Sequence, residues 1–409
     1  MKLKLNQLKN PVVNTSIRIT GSKSETNRLL LLQALFPNIQ IENLSNSDDG
    51  QVMQKGLQKS QGEVDIHHAG TAMRFLTAYF ASQEGKEVVL TGSARMKERP
   101  IQVLVDALRE LGAEIQYTNN HGCPPLRISG KKLTKSKVAL PANVSSQYIS
   151  ALLLIAPSLE NGLELELIGK ITSVPYIKMT LALLEELGIS ATFEDNKIVV
   201  QSREAVDGTT MVVESDWSSA SYFYSVAALC DLDSEIKLSA YKENSLQGDS
   251  ILQEIYTHFG VETSFSKNEV TLKKVREHQR DVFVYDLSDA PDLAQTISVT
   301  CLGLGIGCHL TGLHTLPIKE TDRLAALKTE LTKLGAQVET DSESLTLQPT
   351  SVIHEDVSID TYHDHRMAMA FAPLALKTNL FINDAGVVSK SYPDFWKDLK
   401  NLGLQIAEI

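Results

Sequence analysis

One pattern recurs along the whole chain: an amphipathic helix that ends in a glycine and is followed directly by a strand of alternating apolar residues. Glycine suits this position because the residue that closes a helix often takes a left-handed conformation, which penalises a side chain. The pattern predicts six helix-and-strand modules, and hence an α/β (α+β) fold of two similar domains with three modules each. The instances are 54–66 around Gly62, which is the weakest match, 104–117 around Gly112, 181–193 around Gly188, 252–265 around Gly260, 326–340 around Gly335 and 397–406 around Gly403.

Length, charge and cysteine usage narrow the class of protein. The 409 residues exceed what one hydrophobic core usually serves, so two domains are expected. A net charge of -11 argues against broad binding to nucleic acid or to an anionic membrane. The first residues lack an apolar signal-peptide core, glycines interrupt the weakly charged run 296–313, and the four cysteines show no zinc or paired-disulfide spacing. We therefore expect a cytoplasmic protein without a membrane span.

The polar segments that carry chemistry fall at predicted helix starts. Unpaired backbone N–H groups and the helix dipole favour bound anions there. A Ser or Asp at one such position is often only a cap, but here lysines and arginines exceed what capping requires. The predicted ligands are small and multiply anionic. The segments are Gly21-Ser22-Lys23-Ser24 with Asn27 and Arg28, 69–74, 95–100, Ser145-Ser146-Gln147, Ser218-Ser219, Pro291-Asp292, 319–323 and 364–366.

Two of these segments, 319–323 and 364–366, combine carboxylates with arginine. Glu320 and Arg323 are three residues apart, so on a helix they share a face and can address the same ligand. This combination indicates anion binding beside proton transfer.

Other motifs are less specific than they look. The Gly21 segment lacks the upstream glycine of a phosphate-binding P-loop, because Ser16 holds that place, so ATP hydrolysis is not expected. His363-Asp364-His365 has no third metal ligand nearby, and we predict no metal site. Cys301 and Cys308 lie in an apolar run and are interpreted as packing residues.

In this order, the segments resemble the 5-enolpyruvylshikimate-3-phosphate (EPSP) synthase family over essentially the whole chain. Pro175-Tyr176, Gln247-Gly248-Asp249 and Lys390 ahead of Pro393-Asp394 add to the resemblance. It implies an enolpyruvyl transferase fold, an inverse α/β barrel-like arrangement of two three-module domains. Residues 21–214 would form the first domain, and 1–20 with 215–409 the second. Two crossings near 20 and 214 would join them, with the active site in the cleft between the domains.

The resemblance also implies a reaction. The enolpyruvyl group of phosphoenolpyruvate is transferred to the 5-hydroxyl of shikimate 3-phosphate, and phosphate is released through a tetrahedral intermediate, without a metal or organic cofactor. Asp292 would be the base that takes the hydroxyl proton and Glu320 the acid that protonates the methylene carbon, with Lys23 as a third catalytic residue. Phosphoenolpyruvate would be held by Lys23, Gly70, Arg99, Gln147, Arg323, Arg366 and Lys390. Shikimate 3-phosphate would be held by Ser24, Arg28, Ser145, Ser146, Gln147, Ser173, Tyr176, Asp292, Thr315 and Lys319.

The chain departs from the usual family pattern at four positions. His68 and His363 each replace an Asn, Phe75 replaces a Pro and Thr315 replaces an Asn. None of these changes removes a proposed charge, but Thr315 alters a polar contact to shikimate 3-phosphate.

Two alternatives stay open from the sequence. The sister enolpyruvyl transferase that acts on UDP-N-acetylglucosamine typically carries a Lys-Asn pair near its start and a reactive loop cysteine. This chain has Lys23-Ser24 and a cysteine-free 95–100 segment, and Cys123 comes later. A non-catalytic anion-binding homologue would require a lost catalytic group, and none is evident. No long heptad repeat is present, so a monomer is expected.

Overall fold

The computed structural model describes residues 1–9, 11–141, 145–169, 171, 174–278 and 281–409. The chain packs into two compact units. One comprises Met1–Thr20 and Glu214–Ile409, and the other comprises Gly21–Val213. We call them the discontinuous unit and the continuous unit.

The described residues contain strands β1 (Leu3–Asn6), β2 (Asn14–Ile17), β3 (Ile39–Glu42), β4 (Gln61–Asp65), β5 (Glu87–Thr91), β6 (Glu114–Tyr117), β7 (Leu126–Ser129), β8 (Lys137–Pro141), β9 (Leu163–Ile168), β10 (Ala191–Glu194), β11 (Lys197–Val200), β12 (Thr209–Val212), β13 (Glu235–Ser239), β14 (Val261–Ser266), β15 (Glu269–Lys274), β16 (Val282–Asp286), β17 (Gly307–Thr311), β18 (Val338–Thr340), β19 (Leu345–Leu347), β20 (Val357–Ile359), β21 (Leu380–Ile382) and β22 (Gln405–Glu408).

The α-helices of the same residues are α1 (Lys23–Leu35), α2 (Asp48–Leu57), α3 (Gly70–Ser82), α4 (Gln102–Glu110), α5 (Ser146–Ile155), α6 (Val174–Glu186), α7 (Trp217–Leu229), α8 (Leu252–Ile255), α9 (Ala294–Leu304), α10 (Arg323–Lys333), α11 (His365–Phe371) and α12 (Phe395–Asn401). Short 3-10 turns cover Met96–Glu98, Ala156–Ser158, Gly248–Ile251, Tyr256–Phe259, Pro291–Leu293, Leu316–Ile318, Ala372–Leu376 and Ala385–Lys390.

One strand order repeats through the sheets. In the order β16-β17-β19-β18, the first pair is parallel and the next two pairs are antiparallel. A parallel pair requires a crossover connection, which α9 supplies between β16 and β17, whereas β18 and β19 pair as a hairpin. The same order describes the sheets β4-β5-β7-β6, β8-β9-β11-β10, β2-β13-β15-β14 and β20-β21-β1-β22.

The sixth sheet shows how the chain passes from one unit to the other. It contains only the parallel strands β12 and β3 among the described residues. Strand β2 precedes α1 in the chain but pairs with β13, which follows α7; β12 precedes α7 but pairs with β3, which follows α1. Strand β2 therefore belongs to the discontinuous unit although the helix after it, α1, belongs to the continuous unit, and the reverse holds for β12 and α7. We call this arrangement the strand exchange. Gly21 lies at one crossing, where an added Cβ would come within 1.9 Å of the Asn43 carbonyl oxygen, so no side chain fits.

Five of the six predicted helix, glycine and strand instances are confirmed. Gly335 and Gly403, for example, follow α10 and α12 with φ of 96° and 98°, and β18 and β22 come next. The first instance is wrong: α2 ends at Leu57 and Gly62 lies inside β4, where it pairs with Val88. Strand β4 is the first strand of the sheet β4-β5-β7-β6, and Gly62 does not close a helix. The predicted mixed α/β class is confirmed, with three sheets in each unit of the described chain.

Each unit has its own hydrophobic core around three largely buried helices. In the continuous unit these are α1, α3 and α5, and every residue of α3 from Gly70 to Ala81 is buried. In the discontinuous unit they are α7, α9 and α11. A helix that is apolar on all sides belongs in the interior, which explains their position. Within the described residues, no helix is long and apolar enough to cross a membrane.

Candidate active site

In the continuous unit, three helices begin at predicted ligand segments. Helix α1 begins at Lys23, α3 at Gly70 and α5 at Ser146, which confirms these helix starts. Side chains join them. Gln147 Nε2 donates to Thr71 Oγ1 at 3.1 Å, which ties the start of α5 to the start of α3. Helix α1 is joined to α5 as well, because Arg28 Nη2 donates to Ser150 Oγ at 3.0 Å. The three helices, each with the positive end of its dipole at its N-terminus, are therefore packed together.

Gly70 and Arg99 are in close contact at the start of α3. A Cβ at position 70 would lie 2.8 Å from Arg99 Nη1, so the guanidinium occupies the space that a side chain would need. Arg74 stabilises this arrangement, because it donates to the Gly70 carbonyl oxygen at 3.0 Å and to the Pro100 carbonyl oxygen at 3.3 Å. The Tyr148 hydroxyl donates to the same Pro100 oxygen at 2.5 Å. The segment that carries Arg99 is thus fixed to both α3 and α5.

Arg28 is buried, and most of its guanidinium N–H groups donate hydrogen bonds to other groups of the protein. Nε donates to Thr180 Oγ1 at 2.8 Å, Nη1 to the Ser24 carbonyl oxygen at 2.8 Å, and Nη2 to Ser150 Oγ at 3.0 Å and the Tyr176 carbonyl oxygen at 3.2 Å. The described residues therefore accept hydrogen bonds from four of the five guanidinium N–H groups, and the fifth N–H is on Nη1. Burial lowers the pKa of Arg28 to about 10, so it stays charged at neutral pH.

Phe75 and Thr315, two of the four departures from the family pattern, both have buried side-chain atoms. Phe75 is fully buried, and its ring lies 5.4 Å from Arg28 Cζ, a distance suited to a cation–π contact. Thr315 Oγ1 is buried without a hydrogen-bond partner among the described residues.

The remaining predicted residues of this unit have local roles. Lys23 Nζ lies 3.3 Å from Asp49 Oδ2, an ion pair between α1 and α2. Ser145 caps α5, with its Oγ accepting from the Gln147 N–H at 3.3 Å, and Ser146 is buried. Ser173 lies outside the described residues.

In the discontinuous unit, Asp292 is the centre of a charge cluster. It lies in the 3-10 turn that precedes α9, and its Oδ1 is 2.8 Å from Arg323 Nη1 and 3.4 Å from Lys319 Nζ. Its Oδ2 is 3.1 Å from Arg366 Nη2. One carboxylate therefore contacts three cations from two different segments.

Arg323 is the second centre of this cluster and is almost fully buried. Nε lies 2.7 Å from Asp364 Oδ2, and Nη2 lies 2.9 Å from Glu320 Oε2. The predicted shared helix face is wrong, because α10 begins at Arg323 and Glu320 precedes its N-cap Asp322, but the two side chains do contact each other. Asp364 also caps α11 by accepting from the Arg366 N–H at 2.9 Å, so it orients both arginines.

The cluster pairs the cations Lys319, Arg323 and Arg366 with the carboxylates Asp292, Glu320 and Asp364. Burial alone would raise the pKa of Asp292, but Lys319, Arg366 and Arg323 together hold that pKa well below its ordinary value. Burial opposes the charge of Arg323, yet Asp364, Glu320 and Asp292 raise its pKa above the ordinary value. Both groups are therefore ionised at neutral pH. An incoming anion must compete with the protein's own carboxylates for these donors.

Two further residues extend the cluster without a role predicted from the sequence. Arg366 Nη2 donates to Ser218 Oγ at 3.3 Å, and the Ser218 hydroxyl donates to Asp249 Oδ2 in a short hydrogen bond. Asp249 Oδ1 is buried with no partner in the described chain. Burial is the main reason that the pKa of Asp249 rises to about 6, although Arg366 opposes the shift. The sequence indicated Ser218 as a helix start and Asp249 as part of a family motif, but it did not indicate that they form a hydrogen-bonded chain with Arg366.

Lys390 contacts the turn that precedes α11. Lys390 Nζ donates to the His363 carbonyl oxygen at 2.5 Å. Tyr362 and His363 both have left-handed backbones, with φ of 53° and 56°. Such a conformation costs about 1–2 kcal/mol per residue outside glycine, although histidine and asparagine adopt it more readily than most. His363 therefore fits where the usual family residue is Asn.

The arrangement in the discontinuous unit combines two chemical capabilities. Carboxylates such as Asp292 and Glu320 can transfer protons, and cations such as Lys319, Arg323 and Arg366 can bind an anion. Carboxylates surrounded by cations are weak bases, because the cations lower their pKa. They become stronger bases when the cations contact a substrate anion instead.

Two solved structures share this fold. EPSP synthase from Acinetobacter baumannii matches with a TM-score of 0.80 at 21% identity and covers 100% of both chains. The enolpyruvyl transferase NikO from Streptomyces tendae matches with a TM-score of 0.74 at 14% identity over 99% of this chain and 98% of its own. At these identities the likeness establishes the fold, which is that of the enolpyruvyl transferases.

Sequence comparison identifies the family. The family model for EPSP synthase (3-phosphoshikimate 1-carboxyvinyltransferase) matches residues 54–399. A 3-phosphoshikimate 1-carboxyvinyltransferase of Bacteroides fragilis (strain YCH46) is 46% identical over 401 residues, 96% of each chain. The enzyme of that name from Mannheimia haemolytica is 35% identical and covers 96% of this chain and 98% of its own. The chain belongs to the EPSP synthase family, as the resemblance predicted.

Proposed function

We propose that this chain transfers the enolpyruvyl group of phosphoenolpyruvate to the 5-hydroxyl of shikimate 3-phosphate and releases phosphate, a step toward chorismate and the aromatic amino acids. Family membership over nearly the whole chain supports the reaction. The observation that carries the assignment to this site is the cluster around Asp292, because it joins proton-transfer carboxylates to three cations.

Phosphoenolpyruvate is the substrate that the arginines suit best. Arg323 and Arg366 offer planar forks for its phosphate or carboxylate, and Lys390 adds a point charge. In the continuous unit, Arg99 beside Gly70, together with Lys23 and Gln147, offers further donors at helix starts. We assign these seven residues to phosphoenolpyruvate.

Shikimate 3-phosphate is assigned mainly to the α1 and α5 starts. The N–H group that remains on Arg28 Nη1, with Ser24 beside it, suits the substrate's carboxylate. Ser145 and Ser146 at the N-terminus of α5 suit its phosphate, and Tyr176 lies near Arg28. Ser173 stays a proposal from the sequence alone. Asp292, Thr315 and Lys319 are assigned to the ring hydroxyls, with the unpartnered Thr315 hydroxyl as support.

Proton transfer follows from a redistribution of these charges. When a substrate anion takes donors from Arg366 and a ring hydroxyl takes donors from Lys319, Asp292 loses contacts that lower its pKa. It then accepts the proton of the 5-hydroxyl as the hydroxyl oxygen bonds to the enol carbon. Glu320 donates a proton to the methylene carbon, which gives the tetrahedral intermediate. The carbon–oxygen bond to phosphate then breaks, the methyl carbon returns a proton to the Glu320 carboxylate as the new double bond forms, and the cations stabilise the departing phosphate.

Phosphate release by the purified protein tests this function. Each of phosphoenolpyruvate and shikimate 3-phosphate is omitted in turn, with and without a chelator. Release that needs both substrates and survives the chelator supports the proposed reaction without a metal. Release only with UDP-N-acetylglucosamine would assign the chain to the sister activity. Shikimate 3-phosphate binding without any release would favour a non-catalytic homologue.

We further propose that the enzyme is a cytoplasmic monomer. The four cysteines without paired-disulfide spacing support a reducing compartment, and the lack of a long heptad repeat supports a monomer. The mass of the purified protein in solution tests the monomer directly.

A further inference from the structure

A second polar network, with one buried carboxylate at its centre, joins α10 to the segment 360–362. Its centre is Glu330, which is fully buried. Both Glu330 oxygens lie 2.9 Å from Lys333 Nζ, and Oε1 also accepts from the Tyr362 hydroxyl at 2.5 Å. Oε2 accepts from the Asp360 N–H at 3.2 Å, and Lys333 Nζ donates to Asp360 Oδ2 at 2.7 Å. We call these four residues the Glu330 brace.

The brace and the charge cluster lie on the same helix. Arg323 is the first residue of α10 and Glu330 follows seven residues later, two helical turns or roughly 10 Å along the axis. Arg323 contacts Asp364, whereas Glu330 and Lys333 contact Tyr362 and Asp360. Helix α10 is therefore tied to the segment 360–364 at two places, and only one of them involves a predicted substrate ligand.

The segment between these two ties is strained. Tyr362 and His363 are consecutive left-handed residues, a conformation that persists only where surrounding contacts enforce it. The Glu330 brace holds the first of them through its hydroxyl. The second offers its carbonyl oxygen to Lys390 Nζ. Asp364 follows at once, caps α11 and contacts Arg323, and the Arg366 guanidinium contacts Asp292.

We propose that the Glu330 brace is a positioning device for phosphoenolpyruvate, in which the Tyr362 hydroxyl holds the left-handed turn so that Lys390, Asp364 and Arg366 are correctly placed. Tyr362 and Glu330 act through these residues and do not touch substrate. The inference rests on the proposed function, because it assigns Lys390 and Arg366 to phosphoenolpyruvate. A phenol that donates to a buried carboxylate makes a charge-assisted hydrogen bond, the strong type that such a task requires.

Tyr362→Phe is the sharpest test, because it removes one hydroxyl and keeps the ring. We expect the KM for phosphoenolpyruvate to rise about 10-fold, while the KM for shikimate 3-phosphate changes less than about 2-fold. The second substrate is unaffected because its main predicted ligands lie in the continuous unit. Glu330→Gln keeps the shape of the acceptor but loses its charge, and should shift the same KM in the same direction.

Tyr224→Phe is the matched control. The Tyr224 hydroxyl also makes a partly buried hydrogen bond in the discontinuous unit, to Thr263 Oγ1 at 2.9 Å, and in the described part of the chain this bond does not involve the turn. This variant should show a similar change in melting temperature and native KM values for both substrates. A Tyr362→Phe enzyme with native KM for phosphoenolpyruvate, or with equal increases for both substrates, would overturn the proposal. Wild-type protein without turnover would instead refute the proposed function itself.

Discussion

Gly70→Ala is expected to weaken phosphoenolpyruvate binding by displacing Arg99. The new Cβ would lie 2.8 Å from Arg99 Nη1 and 3.2 Å from Cζ, whereas ordinary contacts begin at 3.4 Å. The guanidinium must therefore retreat by about 0.6 Å. It can do so, because it is the end of a flexible side chain and not backbone. The backbone that carries it stays fixed by the contacts of Arg74 and Tyr148 to Pro100.

The expected increase in KM follows from the strength of the proposed hydrogen bond between Arg99 and phosphoenolpyruvate. A hydrogen bond to a charged group contributes about 1.5–3 kcal/mol. Loss of most of one such bond raises a dissociation constant roughly 10- to 100-fold. We expect the KM for phosphoenolpyruvate to rise within this range, with a much smaller change for shikimate 3-phosphate. The melting temperature should not fall, because alanine is favoured over glycine in a helix by up to about 1 kcal/mol.

Steady-state kinetics with each substrate varied in turn, together with thermal melting, measures both effects. Gly208→Ala is a suitable control in the same unit, since its Cβ would meet only the Asn38 carbonyl oxygen at 4.0 Å. It should leave both KM values unchanged. An unaltered KM for phosphoenolpyruvate in Gly70→Ala would show that the position of Arg99 does not govern binding of this substrate.

Three further predictions follow from individual side chains. Arg28→Lys should lower the free energy of unfolding by about 2–4 kcal/mol and weaken shikimate 3-phosphate, because an ammonium cannot reproduce four fixed hydrogen bonds; urea unfolding and calorimetry measure the two losses. Glu320→Gln should lower kcat by at least about 100-fold with little change in KM, and normal turnover of this variant would remove Glu320 from the chemistry. Asp249→Asn should stabilise the protein by up to ~3 kcal/mol above pH 6 and by nearly nothing below pH 4. The sign follows because burial raises the pKa of folded Asp249 from 3.8 to about 6, so ionisation opposes folding increasingly between these values and fully above them. Urea unfolding at pH 4 and pH 7.5 checks it, and an equal effect at both pH values would contradict the assignment.

Local patterns predicted most of the helices that begin at ligand segments. The capping and dipole arguments apply to Asp322 and Asp364 as they stand in the sequence, and both side chains cap the helices that follow them. The error at Gly62 has a local cause as well. A glycine with positive φ occurs inside β4, where the sequence alone resembles a helix end.

The amino-acid sequence alone determined the repeated modules, the helix starts and the residue types at each start. These features depend on hydrogen bonds and periodicity within a few residues. The sequence did not determine the strand exchange of β2 and β12, or which side chains share a charge. Arg323 meets Asp364 across 41 residues, and Arg366 meets Ser218 across 148. Such contacts, and the pKa shifts of Asp292 and Asp249 that they and burial produce, exist only after the helices have packed. Desolvation and Coulomb interactions depend on distance in space, and tertiary structure alone sets that distance.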